Sequence, residues 1–97
     1  MNKLELTGEV VQVDELRYTP AGIPLLSFVL QHLSDQIEAG MKRKVECDVS
    51  VIAMDKVAEQ ARGIKVGTAL KVSGFLAKRS LKSTQLVLHI NTIEKII

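Results

Sequence analysis

Residues Lys44–Leu76 read KVECDVSVIAMDKVAEQARGIKVGTALKVSGFL, and this stretch decides the order of the secondary structure. Lys44–Val51 alternates polar and apolar side chains, which is the period-two pattern of a half-buried strand. Across Met54–Arg62 the apolar residues recur at helical spacing, and Gly63 provides a C-terminal helix stop. Leu70–Leu76 alternates again. The segment therefore predicts a strand, one short helix and a second strand.

Alternating apolar residues predict three further strands around this segment. The first covers Leu4–Val13, where the apolar phase switches after Gly8, as in a bent or bulged strand. The others cover Leu26–Leu33 and Leu86–Asn91. Five strands with one helix between the third and fourth is the order of an oligonucleotide/oligosaccharide-binding (OB) barrel. An SH3-like barrel lacks that helix, and a ferredoxin-like fold needs two crossover helices. We predict an all-β, five-stranded OB fold as a single domain over residues 1–97.

The segments between the predicted strands differ in composition. Thr19–Pro24 contains two prolines and a glycine and predicts a rigid hairpin turn. Ser34–Gly40 predicts a polar, mobile loop. Ala77–Thr84 predicts a loop that carries several cations.

Composition limits the function classes. An apolar fraction of 46% excludes a disordered chain. No apolar run approaches the roughly 20 residues that cross a bilayer, and Glu5 falls where a signal peptide needs apolar residues. The lone Cys47 excludes an internal disulfide, and its apolar phase predicts a buried thiol. We expect a cytoplasmic protein without a membrane segment.

The chain lacks the residue patterns of a catalytic or metal site. Its two histidines, His32 and His89, lie on predicted strands and are interpreted as structural. One cysteine and two histidines provide no zinc-ligand spacing. Gly63–Gly67 lacks the remaining residues of a phosphate-binding loop. The sequence predicts no enzyme, metal or cofactor.

Charge is divided unevenly along the chain. Ten of the eleven acidic residues precede Gln60, whereas residues 60–93 contain no Asp or Glu. The cations in that second stretch are Arg62, Lys65, Lys71, Lys78, Arg79 and Lys82. An uncompensated run of cations is typical of a surface that binds a polyanion. A solvated face that keeps the protein dispersed has the same composition.

Basic and aromatic residues occur where an OB barrel binds nucleic acid. That groove lies on the second and third strands, between the loops after the first and fourth. The predicted DNA contacts are Arg17, Tyr18, Lys42, Arg43, Lys44, Lys78, Arg79 and Lys82. Five of them have a structural alternative: Lys42–Lys44 fits a solvated strand end, Arg17 fits a surface ion pair, and Tyr18 fits packing on the hairpin.

Aromatic residues make up only 3% of the chain. Phe28 lies in the apolar phase of its strand and is predicted to be core. Phe75 lies in the polar phase unless Gly74 hosts a bulge. It is either a base-stacking residue or a corner residue, and the corner is preferred.

Several segments match one known family in order and with similar loop lengths. They are Asn2–Val10, Pro20–Pro24, Phe28–Leu30, Glu38–Gly40, Val66–Gly67, Gly74–Phe75 and Leu86–His89. Together they resemble the bacterial primosomal replication protein PriB. Arg17–Gly22 also resembles the bacterial single-stranded-DNA-binding protein, but the absence of tryptophan favours the primosomal family.

This resemblance implies an OB-fold homodimer that binds single-stranded DNA and acts in replication restart. It also implies stimulation of the PriA helicase, with single-stranded-DNA-binding protein as a further partner. The family's basic contacts correspond here to Arg17, Arg43 and the loop cations Lys78, Arg79 and Lys82.

Two departures from the family pattern predict weak DNA binding. The positions of its base-stacking aromatics are Met41 and Glu46 here, and Leu33 stands where a basic residue is expected. Stacking on an aromatic contributes about 1–3 kcal/mol per base, so the remaining binding is mostly electrostatic. It should depend on salt with a slope of about 0.7 per neutralised phosphate.

Two other functions fit the same residues. A protein-only adaptor would dock its basic loop on an acidic partner, and a general single-stranded-DNA-binding protein would act without the helicase. A cold-shock-like RNA-binding protein is disfavoured, because such proteins read bases with clustered aromatics.

Overall fold

The computed structural model describes residues 1–96. These residues contain six strands and one helix. They are β1 Leu4–Val13, β2 Arg17–Tyr18, β3 Pro24–Glu38, β4 Met41–Met54, α1 Lys56–Ala61, β5 Ala69–Lys78 and β6 Leu86–Lys95. The five long strands and the helix between β4 and β5 confirm the predicted OB barrel. Ile97, the last residue of the predicted domain, lies outside the described residues.

The barrel closes because β1 bends and pairs with two strands. The sheet order is β1-β5-β6-β4-β3-β2, and an additional pairing joins β1 to β3. Leu4–Glu9 pairs with β5, and Glu9–Val13 pairs with β3. The register shifts between Val10 and Gln12, so the predicted bulge exists and lies at Val11. Gly8 has a different role, because it lets β1 approach the backbone of β3 closely. A Cβ at this position would lie 2.8 Å from the Gln31 carbonyl oxygen.

The core fills the inside of this barrel with the apolar phase of each strand. Its fully buried members include Val10, Leu30, Val51, Leu70, Val72 and Leu88. Phe28 belongs to the same cluster, as predicted. α1 buries Ala58 and Ala61 against it and packs on β3, β4 and β6. No helix in residues 1–96 is both long and apolar enough to cross a membrane.

Beyond the barrel, β3 and β4 continue as a paired arm, which we define as Leu33–Glu46. The pairing runs without interruption to Glu38 and Met41. The prediction of a mobile loop over Ser34–Gly40 is therefore wrong. Only Ala39 and Gly40 turn, both with positive φ. Polar side chains suit this segment because both faces of a two-stranded ribbon meet solvent, while the backbone groups still pair with each other.

The arm makes the protein long for its size. The longest extent of the protein is 49 Å. Its radius of gyration of 14.2 Å exceeds the value of about 12.5 Å that a compact chain of this length has. At its base, His32 Nδ1 lies 2.7 Å from the Thr7 carbonyl oxygen, and His32 Nε2 lies 2.8 Å from Ser34 Oγ. His32 thus ties the arm to β1. Cys47 is exposed, not buried as predicted, because its strand has already left the barrel core.

Candidate nucleic-acid interface

Two arginines from distant parts of the chain flank one groove on the barrel. Arg17 comes from β2, and Arg79 directly follows β5. Their groove crosses the outward face of β3 and β4. The side chains that form its floor and rim are Gln12, Asp14, Ser27, Val29, Ser50 and Ile52. The two loops predicted to border the site therefore do meet across these strands.

Strand pairing and a hydrogen-bonded turn position the backbone that carries Arg17. Arg17 pairs with Leu25, so the two residues of β2 form a hairpin with the start of β3. In the turn, the Thr19 N–H donates to the Ile23 carbonyl oxygen at 2.9 Å, and the Ile23 N–H donates to Thr19 Oγ1 at 3.1 Å. Gly22 adopts a φ of 81°, which favours glycine. A hydrogen-bonded turn therefore exists where one was predicted over Thr19–Pro24.

The loop that carries Arg79 is closed in a similar way. The Arg79 N–H donates to the Gln85 carbonyl oxygen at 2.9 Å. Inside the loop, the Ser83 N–H donates to the Ser80 carbonyl oxygen at 3.2 Å, and the Gln85 N–H donates to Ser83 Oγ at 3.0 Å. Two backbone N–H groups of this loop are thus paired inside it, and Lys78, Arg79 and Lys82 are exposed.

The groove carries charges of both signs. Asp14 lines it beside Arg17, and Asp48 lies with Arg79 in the neighbouring depression at the end of the barrel. Asp48 is on the outward face of β4, two residues from Ser50 in the groove floor. A phosphate chain that follows β4 would meet these carboxylates, which reduces the net attraction of the arginines.

Lys42 and Lys44 share the outward face with the groove floor but lie far along the arm. From Lys44 to Ser50 the strand rises about 20 Å. Asp35 is opposite Lys44 in the pairing, and its carboxylate lies 3.6 Å from the Lys42 ammonium. The two lysines therefore have a carboxylate between them.

Arg43 faces the other side of the arm. Its neighbours in β4 point outward, so strand alternation turns Arg43 away from the groove. On that opposite face, the Arg43 guanidinium donates to the Glu38 carboxylate at 2.5 Å. Three consecutive cations in the sequence thus divide between two faces.

The remaining predicted contacts, Tyr18, Lys78 and Lys82, are not among the residues that line the groove. Tyr18 alternates with Arg17 in β2 and is 58% exposed. Lys78 ends β5, and Lys82 lies in the loop that follows, both in solvent. The structure brings together Arg17 and Arg79, with Lys78 and Lys82 close to Arg79 in the chain.

Sequence reasoning missed the groove floor. Ser27, Val29, Ser50 and Ile52 occupy the outward phase of their strands, and that alternation was a visible signal. Phe75 lies within β5 and is 42% exposed, so it is not a corner residue.

Comparison with known proteins agrees with this architecture. The family described as "Another single-strand binding protein family" matches residues 2–92. Replication restart protein PriB of Nitrosomonas europaea is 38% identical over 89 residues, which cover 92% of this chain and 82% of that protein. PriB of Erwinia tasmaniensis is 41% identical over 99 residues, which cover 98% of this chain and 93% of that protein. The chain belongs to the PriB family.

Two solved structures have a similar fold. The PriB structure from Ralstonia solanacearum superposes with a TM-score of 0.88 at 33% identity and covers 99% of both chains. The single-stranded DNA binding protein from Thermus aquaticus superposes with a TM-score of 0.80 at 23% identity. It covers all of this chain and 50% of its own, and at that identity the likeness concerns the fold alone.

The family resemblance assigns stacking aromatics to positions 41 and 46, and in this chain these two positions lie on opposite faces of the arm. Glu46 is exposed on the outward face, opposite Leu33. Met41 is exposed on the same face as Arg43. Of the two, only Glu46 shares the face of the groove floor.

Proposed function

We propose that this PriB-family chain is a non-catalytic accessory protein of cytoplasmic replication restart that binds single-stranded DNA. The observation that carries the proposal is the pair Arg17 and Arg79 on opposite sides of the outward face of β3 and β4. Relatives named replication restart protein PriB, matched over nearly the whole chain, support the cellular role.

The groove has the chemistry that a single strand needs. Arg17 and Arg79 both line the groove and offer charged N–H donors to phosphate oxygens. Val29 and Ile52 provide apolar floor for bases, and hydroxyls on Ser27 and Ser50 provide hydrogen bonds. Phosphate contacts and apolar contacts with base faces do not read base edges, so binding should tolerate any sequence.

The same surface explains why binding should be weak. Two arginines flank the groove, but Asp14, Asp48 and Glu46 share its face. Most of the affinity then comes from counterion release, which falls steeply with salt.

Removing both arginines tests this proposal. Substituting Arg17→Ala and Arg79→Ala together should lower the slope of log affinity against log salt by about 1.4, since each phosphate contact contributes about 0.7. Titration of a fluorescein-labelled oligo(dT) strand at rising salt measures this slope.

A matched variant controls for net charge. Lys56→Ala with Lys65→Ala also removes two exposed cations, but neither lines the groove. This control should keep the wild-type slope to within a few tenths. If the salt slope decreased equally in both double variants, the result would contradict a binding groove and would indicate general charge attraction.

We extend the proposal to a partnership with the PriA helicase, with single-stranded-DNA-binding protein as a second partner. The support is the solvent-exposed loop after β5, in which Leu81 stands beside Lys82. Replacing Lys78, Arg79 and Lys82 with alanine should reduce both oligo(dT) binding and recovery of the helicase in a pull-down. Loss of the helicase with DNA binding unchanged would favour the adaptor function instead.

A homodimer also belongs to this proposal, because β1 has a free edge in the described residues. Leu4–Gly8 pairs with β5 on one side, and β3 pairs with β1 only from Glu9 onward. A free strand edge is a template for pairing with a second copy. Sedimentation velocity at micromolar concentration should give the mass of two chains. A single 10.7 kDa species would contradict the dimer.

A further inference from the structure

Phe75 and His89 form a stacked aromatic pair on the outside of the barrel. Their ring centroids are 5.3 Å apart, and the ring planes differ by 5°. The two residues are direct partners in the antiparallel pairing of β5 with β6. His89 is half-buried, whereas Phe75 remains 42% exposed. The imidazole therefore supports one side of a phenyl ring that stays open to solvent.

This pair continues the floor of the arginine groove. Ile52, which lines the groove, is the partner of His89 in the parallel pairing of β4 with β6. Ser27 is the partner of Ile52 on the other side. Cross-strand partners point to the same face of a sheet, so one outward row crosses β3, β4, β6 and β5 and ends at Phe75. Two strand spacings, or about 10 Å along the sheet, separate Ile52 from Phe75.

Core packing does not account for the outward position of Phe75. It alternates with Gly74 and Leu76, which belong to the inward phase, and it is not part of the hydrophobic cluster. A half-exposed phenyl ring at the end of a binding row has the flat apolar face that nucleobases stack on, and every base has such a face.

We propose that Phe75, supported by His89, is a base-stacking platform at the β5 end of the groove. This inference rests on the proposed single-strand binding and adds to it an aromatic contact outside β3 and β4. The ligand class is the nucleobase of a single strand whose phosphates lie against Arg17 and Arg79. The platform reads no base edge, so its contribution is independent of sequence.

The variant Phe75→Leu tests the platform, because it keeps apolar volume and removes the π-face. Its affinity for fluorescein-labelled oligo(dT) should fall about tenfold, within the range measured for single stacked bases. Its salt slope should stay at the wild-type value, since no phosphate contact is lost. Val66→Ala is the control, because Val66 is also an exposed apolar residue and lies outside the row. Thermal unfolding verifies that each variant is folded.

A second ligand separates stacking from loss of structure. An abasic strand of the same length has the phosphates without the bases, so wild type and Phe75→Leu should bind it equally. A folded Phe75→Leu variant that binds oligo(dT) as wild type does would overturn the platform and leave the arginine groove standing. If the affinity of Phe75→Leu for the abasic strand fell as much as its affinity for oligo(dT), the platform would also be overturned. If wild-type protein binds neither strand, both the platform and the proposed DNA binding fail.

Discussion

Replacing Gly74 with alanine is expected to destabilise the protein by about 3 kcal/mol or more, near the upper end of what overpacking costs. Gly74 is buried in the middle of the sheet, paired with Leu4 of β1 and Ile90 of β6. A Cβ at this position would overlap the His89 carbonyl oxygen and lie 2.7 Å from Ile90 Cα. These are backbone atoms, so no side-chain rotation relieves the clash.

The close contact arises from an irregularity between β5 and β6. The register shifts between Ser73 and Gly74, because Ser73 pairs with Thr92 while Gly74 pairs with Ile90. Asn91 is the extra residue, which places the bulge on β6 and brings its backbone against Gly74. Only a residue without a side chain allows this approach, and the positive φ that favours glycine elsewhere is not involved.

Urea unfolding followed by circular dichroism measures the change in the free energy of unfolding. Gly22→Ala is the matched control, because a Cβ there meets no atom within 4 Å and only the φ of 81° opposes it. That strain costs about 1 kcal/mol. Ser73→Ala, one residue away, should change stability by less than either. If Gly74→Ala had the same free energy of unfolding as Gly22→Ala, β5 and β6 could move apart here with little loss of stability.

Replacing Glu46 with tryptophan is expected to raise the affinity for single-stranded DNA about tenfold or more, because one stacked base contributes about 1–3 kcal/mol. Glu46 points outward from β4 in the same phase as Ser50 and Ile52. Its partner Leu33 is 62% exposed and provides apolar surface beside the new ring. The substitution also removes a carboxylate from the path of the phosphates.

Glu46→Gln separates these two contributions, because it removes the charge and adds no ring. It should bind more tightly than wild type by only a few-fold, with the gain shrinking as salt screens the charge. The gain of Glu46→Trp over Glu46→Gln should persist at high salt, since stacking is not screened. Fluorescence titration of oligo(dT) at low and high salt compares the three proteins. Equal affinities of Glu46→Trp and Glu46→Gln would mean that DNA does not reach this part of the arm.

Much of the fold could be predicted because local periodicity encodes it. Strict alternation over Lys44–Val51, helical spacing over Met54–Arg62 and the phase switch after Gly8 each reflect which face of one element is buried. The arm was missed for the same reason. Polar residues over Ser34–Glu38 bury no face, so their pairing with β4 has no apolar signature.

The candidate site was only partly predictable. The OB fold predicts Arg17 and Arg79 as contacts because it brings their two loops together, and both residues line one groove. Adjacency in sequence and the family resemblance both predict Arg43 as a contact beside its lysine neighbours, although strand alternation turns it to the other face, where it contacts Glu38.

The sequence alone determined where the barrel segments of the five long strands and the helix lie, which face of each is apolar, and that cations concentrate after Gln60. Tertiary structure alone decided that Ile52, His89 and Phe75 form one row, and that Asn91 bulges to press β6 against Gly74. The physical reason is that periodicity describes each strand's own faces. The partner and register of a strand depend instead on contacts between residues far apart in the chain, which no local pattern records.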